Sequence, residues 1–164
     1  MNIYNQIDNT SITIVPTDKA LGAIVDGIEL NKDIDKRTCD LLRDAWHEHL
    51  VLVVRGQEID EVHQEKFCSI FGKLAGLQSR VTAAAKAKEL KSHALWVANT
   101  DDSERPTAVQ RGEMMYHIDQ CYKKNPSKAS TLYALTIPEV GGNTRFSNLI
   151  KVYEDLSNDW KGRI

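Results

Sequence analysis

Residues 113–122 read EMMYHIDQCY, which sets His117 and Asp119 two positions apart in a run with the apolar and aromatic content of a strand. On a strand, residues two apart project from the same face, close enough to chelate one ion. On a helix, the same spacing turns two side chains roughly 200° apart. How this stretch is read therefore decides both the fold and the prospect of a metal site. His47 with His49 and His63 with Glu65 share the spacing, but both pairs fall in sequence that reads as helix. Helix-surface or core roles suit His47, His49 and His63, and His93 has no ligand partner nearby in sequence. With five His and thirteen Asp in 164 residues, chance alone gives about 0.4 His-x-Asp matches, so the pair needs support from its surroundings. An imidazole and a carboxylate on one strand face suit a 2-His-1-carboxylate site for non-haem Fe(II), which keeps three positions open for a bidentate co-substrate and O2.

Outward from this stretch, the pattern alternates between short strands and amphipathic helices. SITIVPT alternates polar and apolar residues up to Pro16, and LGAIVDGIEL holds a second short strand between Gly22 and Gly27. Leu41, Leu42, Ala45, Trp46 and Leu50 recur at three- and four-residue spacing, predicting a helix over 35–50. LVLVVRGQ is a β-branched run ending in a Gly turn, expected to be a buried strand. Asp60 is placed to cap a helix over 60–71 that carries His63, Phe67, Ile70 and Phe71 on one face, with Gly72 closing it. Residues 78–93 read as a short helix or surface segment, HALWVANT as a strand, and DDSERPTAVQRG as a loop. EMMYHID and ASTLYALTIP are strand-like. EVGGNTRFSN is a Gly-Gly turn leading into a short strand, and LIKVYEDLS puts Leu149, Val152, Tyr153 and Leu156 on one helical face.

Composition narrows the setting. A length of 164 residues suits one domain with a real core. With 41% hydrophobic and 27% charged residues the chain is ordinary for a globular protein. A formal charge of -2 gives no reason to expect nucleic acid or an acidic membrane as partner. No apolar run reaches the ~20 residues needed to span a bilayer. The first residues, MNIYNQIDNTSITIV, lack the basic and apolar regions of a secretory signal. Cys39, Cys68 and Cys121 form no CxxC pair. A reduced, cytoplasmic protein is expected.

Several of these segments, in order, resemble the Fe(II)/2-oxoglutarate-dependent dioxygenases related to the taurine and 2,4-dichlorophenoxyacetate dioxygenases. GAIVDGIEL is similar to that family's opening strand, HEHLVLVVRGQEID to its helix, buried strand and Arg-(Gly/Asp)-Gln turn, and HQEKFCSIFGKLAG to the next helix with its F-G-x-L end. Residues 116–157, from Tyr116 to Ser157, resemble the central block: a His-x-Asp pair, a strand, a Pro, a GG-(D/N)-T turn and a helix with Y-(E/D)-x-L. The resemblance implies an α+β protein with a double-stranded β-helix (jelly-roll) core, read as a single catalytic domain over 1–164. It implies His117 and Asp119 as the first two iron ligands, and Thr144 as a residue holding a carboxylate of 2-oxoglutarate. Fe(II) would be the metal and 2-oxoglutarate the co-substrate, with a small organic acid hydroxylated and succinate and CO2 released.

The chain also departs from the pattern. Tyr116 stands where the family usually has Trp, and Glu113 stands where taurine-type enzymes place Asn. A carboxylate there repels a sulfonate, although Arg111 is close enough in sequence to offset it. No His follows Asp119, and Arg145 and Arg163 are the only later arginines, neither in the context of the family's co-substrate arginine. The expectation is a jelly roll incomplete at its C-terminus, inactive alone, whose unpaired edges favour pairing with another copy in a homo-oligomer. The alternative is a non-catalytic or degenerate jelly-roll metal-binding protein lacking the distal His and the 2-oxoglutarate-binding Arg.

Overall fold

The computed structural model describes residues 12–75, 94, 96–98, 107–109 and 115–164. The chain divides into two compact units, Met1–Glu58 with Ala134–Ile164, and Ile59–Tyr133. Each is built from short elements that follow local sequence signals.

In the first unit, β1 (Thr13–Pro16) pairs antiparallel with β2 (Ala23–Asp26), and β2 pairs in parallel with β3 (Leu52–Val54). Strand β2 is thus central. Its alternation shows on one face, where Ala23 and Val25 are buried while Asp26 is exposed. The turn between β1 and β2 closes through Thr17, whose N–H donates to the Gly22 carbonyl at 2.8 Å and whose Oγ1 donates to the Leu21 carbonyl at 2.7 Å. The crossover from β2 to β3 is helix α1 (Lys36–His49). Asp35 caps it by accepting from the Thr38 N–H, satisfying one of the free donors of the first turn. Leu50 ends it in a left-handed conformation (φ 66°) with its N–H on the Trp46 carbonyl. Of the apolar stripe, Leu42 and Ala45 are buried. With Ile14, Ala23, Val25 and Leu30 they form the core of this unit.

Strand β3 departs from expectation. It is three residues long and only half-buried, with Val53 exposed, because among the described residues it is paired on one side alone. The turn after it is held by Gln57, whose Oε1 accepts from the Leu30 N–H (2.8 Å) and whose Nε2 donates to the carbonyls of Ile28 (3.0 Å) and Arg55 (2.9 Å). One amide thereby satisfies three main-chain groups in two segments.

The second unit holds α2 (Glu61–Ser69), capped by Asp60, which accepts from the His63 N–H. Its buried Phe67 meets buried Phe71 edge to face, with ring centroids 5.3 Å apart. The helix ends at Ser69, three residues short of Gly72, through bonds from the Ile70 and Phe71 N–H groups to the Phe67 and Cys68 carbonyls. Strands β4 (Trp96–Ala98) and β5 (Thr107–Val109) pair in parallel. The segment expected to be a loop therefore contains a strand, three residues too short to show a period. The reading of 78–93 lies outside the described residues.

Residues 115–148 contain no strand. This corrects the strand expected over the described part of EMMYHID, the one over ASTLYALTIP and the short one after the Gly-Gly turn. The physical reason is pairing. Strand-like residues become a strand only when a neighbour supplies ladder hydrogen bonds, and Leu132, Leu135, Ile137 and Phe146 all stay exposed here. Beyond them, Asn148 caps α3 (Leu149–Glu154) and also donates from Nδ2 to the Ala20 carbonyl at 2.7 Å. Ser157 caps a last short helix, α4 (Asn158–Lys161). The apolar face expected on α3 is solvent-facing, with Leu149, Val152 and Tyr153 exposed. Among the described residues, no helix is long and apolar enough to cross a membrane.

Candidate metal centre

His117 and Asp119 lie in the second unit, on main chain without regular structure. Their side chains nevertheless converge, with His117 Nε2 3.4 Å from Asp119 Oδ1. The chain turns at once after Asp119, where Gln120 takes a left-handed conformation (φ 56°), uncommon for a residue with a Cβ. The turn is closed by the Lys123 N–H donating to the Gln120 carbonyl at 2.9 Å and by Lys123 Nζ donating to Gln120 Oε1 at 2.8 Å.

Hydrogen bonding sets the direction of each group. His117 Nδ1 is 3.0 Å from the Met115 carbonyl. A carbonyl only accepts, so Nδ1 carries a proton, and in the neutral ring Nε2 is a lone pair. That lone pair faces a carboxylate oxygen, another acceptor. In that tautomer the two atoms present adjacent donors to one cation. Metal-bound histidines commonly donate their second ring N–H to a backbone carbonyl in this way, fixing tautomer and orientation. Asp119 Oδ2 accepts from Ser130 Oγ at 2.6 Å, which leaves Oδ1 as the oxygen on the histidine side. Both side chains are about half exposed, at 50% and 53%, so an ion can reach them from solvent.

The donor set fits a hard or borderline divalent ion. Two donors held about 2.1 Å from one ion at right angles lie about 3.0 Å apart. The observed 3.4 Å is wider by about 0.4 Å, within a small side-chain adjustment. Among the described residues, no group of three or more His, Cys, Asp or Glu side chains gathers as a complete metal site.

The other expected residues fall elsewhere. Thr144 belongs to the first unit and is exposed, three residues after Gly141 (φ 79°) and two after Gly142 (φ 67°), which make the turn read from the sequence. Glu113, Arg111 and His93 lie outside the described residues. His47 lies against Trp46 on α1, with ring centroids 4.9 Å apart. His63 sits beside its own cap, Nδ1 2.6 Å from Asp60 Oδ1. Ser130 was not legible as a partner of Asp119. It is a serine in a strand-like run, eleven positions away, and no spacing rule marks it.

Residues 13–164 match the taurine catabolism dioxygenase TauD, TfdA family. The chain belongs to that family. Among its relatives is an (S)-phenoxypropionate/alpha-ketoglutarate-dioxygenase from Sphingobium herbicidovorans, 28% identical over 151 residues, covering 92% of this chain and 50% of the relative. An alkylsulfatase from Acinetobacter baylyi is 31% identical over 137 residues, covering 83% and 39%. A crystal structure from Burkholderia xenovorans, assigned to the alpha-ketoglutarate-dependent taurine dioxygenases, superposes with a TM-score of 0.69 at 23% identity over 93% of this chain and 50% of that one. The TauD/TfdA chain thus shares its fold with that protein, and it spans half or less of the length of these relatives.

Proposed function

We propose that the TauD/TfdA chain carries part of the active site of an Fe(II)- and 2-oxoglutarate-dependent dioxygenase acting on a small organic acid. The reading places it on a double-stranded β-helix, as one catalytic domain over 1–164. The observation that carries the reading is the His117–Asp119 pair, whose Nε2 and Oδ1 converge to 3.4 Å while Nδ1 is turned to the Met115 carbonyl. Family membership and the relatives that use alpha-ketoglutarate support the same chemistry.

His117 Nε2 and Asp119 Oδ1 would hold the metal, and Thr144 would donate its hydroxyl to a carboxylate of 2-oxoglutarate. When bound, Fe(II) with 2-oxoglutarate supplies O2 activation coupled to decarboxylation, giving succinate, CO2 and a hydroxylated substrate. The protein's part is geometry. The Met115 carbonyl keeps the His117 proton on Nδ1, so that Nε2 stays free to coordinate. The Gly141–Gly142 turn brings the chain around just before Thr144. Glu113 argues against a sulfonate substrate, since two anions repel at close range. Cys39, Cys68 and Cys121 are all free thiols, as a reducing cytoplasm would keep them. Exposed apolar residues over 132–153 favour self-association of this chain when it is isolated.

The test measures Fe(II) binding under anaerobic conditions, and succinate formation from 2-oxoglutarate under air. The chain is compared with its His117→Ala and Asp119→Ala variants. Metal binding is expected to fall in both variants. Unchanged binding would refute the reading. The 164 residues alone are expected to bind weakly, since among the described residues no third His, Cys, Asp or Glu joins this pair.

A further inference from the structure

We propose that Ser130 is a positioning residue for Asp119, fixing its carboxylate to bind the metal through one oxygen only. The inference rests on the reading of His117 and Asp119 as ligands. A free carboxylate can grip a divalent ion with either one oxygen or both. Here Oδ2 is already engaged by the Ser130 hydroxyl at 2.6 Å, a short charge-assisted bond, while Oδ1 is turned toward His117 Nε2 at 3.4 Å. To grip with both oxygens, Asp119 would have to share Oδ2 between the ion and that hydroxyl, which makes the free Oδ1 the better donor.

The difference matters because coordination positions are few. A six-coordinate ion with two imidazoles and one carboxylate oxygen keeps three sites open: two for a bidentate co-substrate and one for O2. A carboxylate that binds through both oxygens takes one of the three, and co-substrate and O2 then compete. Ser130 therefore acts on the count of open sites through Asp119, without touching substrate. Both partners are exposed, and they join two stretches without regular structure.

Co(II) titration followed by its visible absorption tests this, because band intensity falls as coordination number rises. The chain is compared with Ser130→Ala, Ser130→Thr and His117→Ala, with thermal unfolding measured on each. Ser130→Ala is expected to bind Co(II) about 10-fold more weakly, the lower end of the effect of removing a group that orients a ligand. Its spectrum should also shift, while its unfolding midpoint stays put. Ser130→Thr keeps the hydroxyl, has room for the extra methyl on this exposed site, and should restore both affinity and spectrum. Affinity and spectrum unchanged in Ser130→Ala, with His117→Ala abolishing binding, would overturn the role of Ser130 alone. Binding indifferent to His117→Ala would overturn the metal site and this inference with it.

Discussion

Adding one methyl group at either glycine of the turn before Thr144 should separate two costs that are usually measured together. Gly141 and Gly142 both have positive φ, 79° and 67°, where a Cβ crowds the backbone by about 1–2 kcal/mol. At Gly141 a Cβ would meet nothing within 4 Å, so Gly141→Ala should cost that conformational amount and no more. At Gly142 the same atom would lie 2.8 Å from Pro138 Cγ, closer than carbon atoms tolerate, and the ring cannot swing aside as a flexible chain end would. Overpacking of this kind adds about 1–3 kcal/mol. Gly142→Ala should therefore destabilise by about 2–5 kcal/mol in total, clearly more than its neighbour. Equilibrium urea unfolding followed by tryptophan fluorescence measures both. Pro138→Ala in the Gly142→Ala background removes Cγ and should recover the excess as a coupling energy. Equal losses at the two glycines, or no recovery in the double variant, would refute the steric argument.

Other outcomes follow from the same structure. Leu42→Ala removes a fully buried side chain from the small core of the first unit and should cost about 2.7–5.0 kcal/mol by urea unfolding. Gln57→Ala strips partners from the Leu30 N–H and the Ile28 and Arg55 carbonyls, and should cost about 1–3 kcal/mol by the same measurement. Three carboxyls are held below their ordinary value of 3.8: Asp35 by the Thr38 N–H, Asp40 by Lys36 and then Arg43, and Asp60 by the His63 N–H. A lowered folded pKa means stability that is fully present above 3.8 and lost as pH falls through the folded value. Helicity followed by circular dichroism should decline on that acid limb, and Asp35→Asn should flatten its own share. A profile unchanged by Asp35→Asn would count against the cap.

What was legible in the sequence is what local physics fixes. Asp35 and Asp60 each sit one residue before a helix and accept the N–H three positions on, and that chemistry needs no distant partner. Strands β1 and β2 were readable because a tight turn with glycine at φ 103° joins them. Strand β5 was missed, since Thr107–Val109 is too short for any period to show. The strand-like runs over 115–148 carry the right residue types, but type alone does not supply a neighbouring strand. At the candidate site, the pairing of His117 with Asp119 was anticipated from strand spacing, and the two side chains do converge, on main chain outside any assigned strand with a turn at Gln120 following at once. Ser130 belongs to a contact between non-adjacent segments, which spacing does not encode.

The bond from Asn148 to the Ala20 carbonyl sets an order of events in time. It joins positions 128 apart in sequence, and closing an otherwise free loop of that span costs on the order of 4 kcal/mol. One hydrogen bond returns about 0.5–1.5 kcal/mol net. Helix α3 adds no buried side chain to make up the difference. The β1–β2 hairpin and α1 draw on contacts near in sequence and can form early; the segment 148–154 latches on afterwards and releases before them. Its amides, such as Val152 N–H on the Asn148 carbonyl, should exchange with solvent through local opening, well before Ala23 N–H on the Val51 carbonyl in the sheet. Weakening the latch should then quicken release while leaving the rate of folding almost untouched.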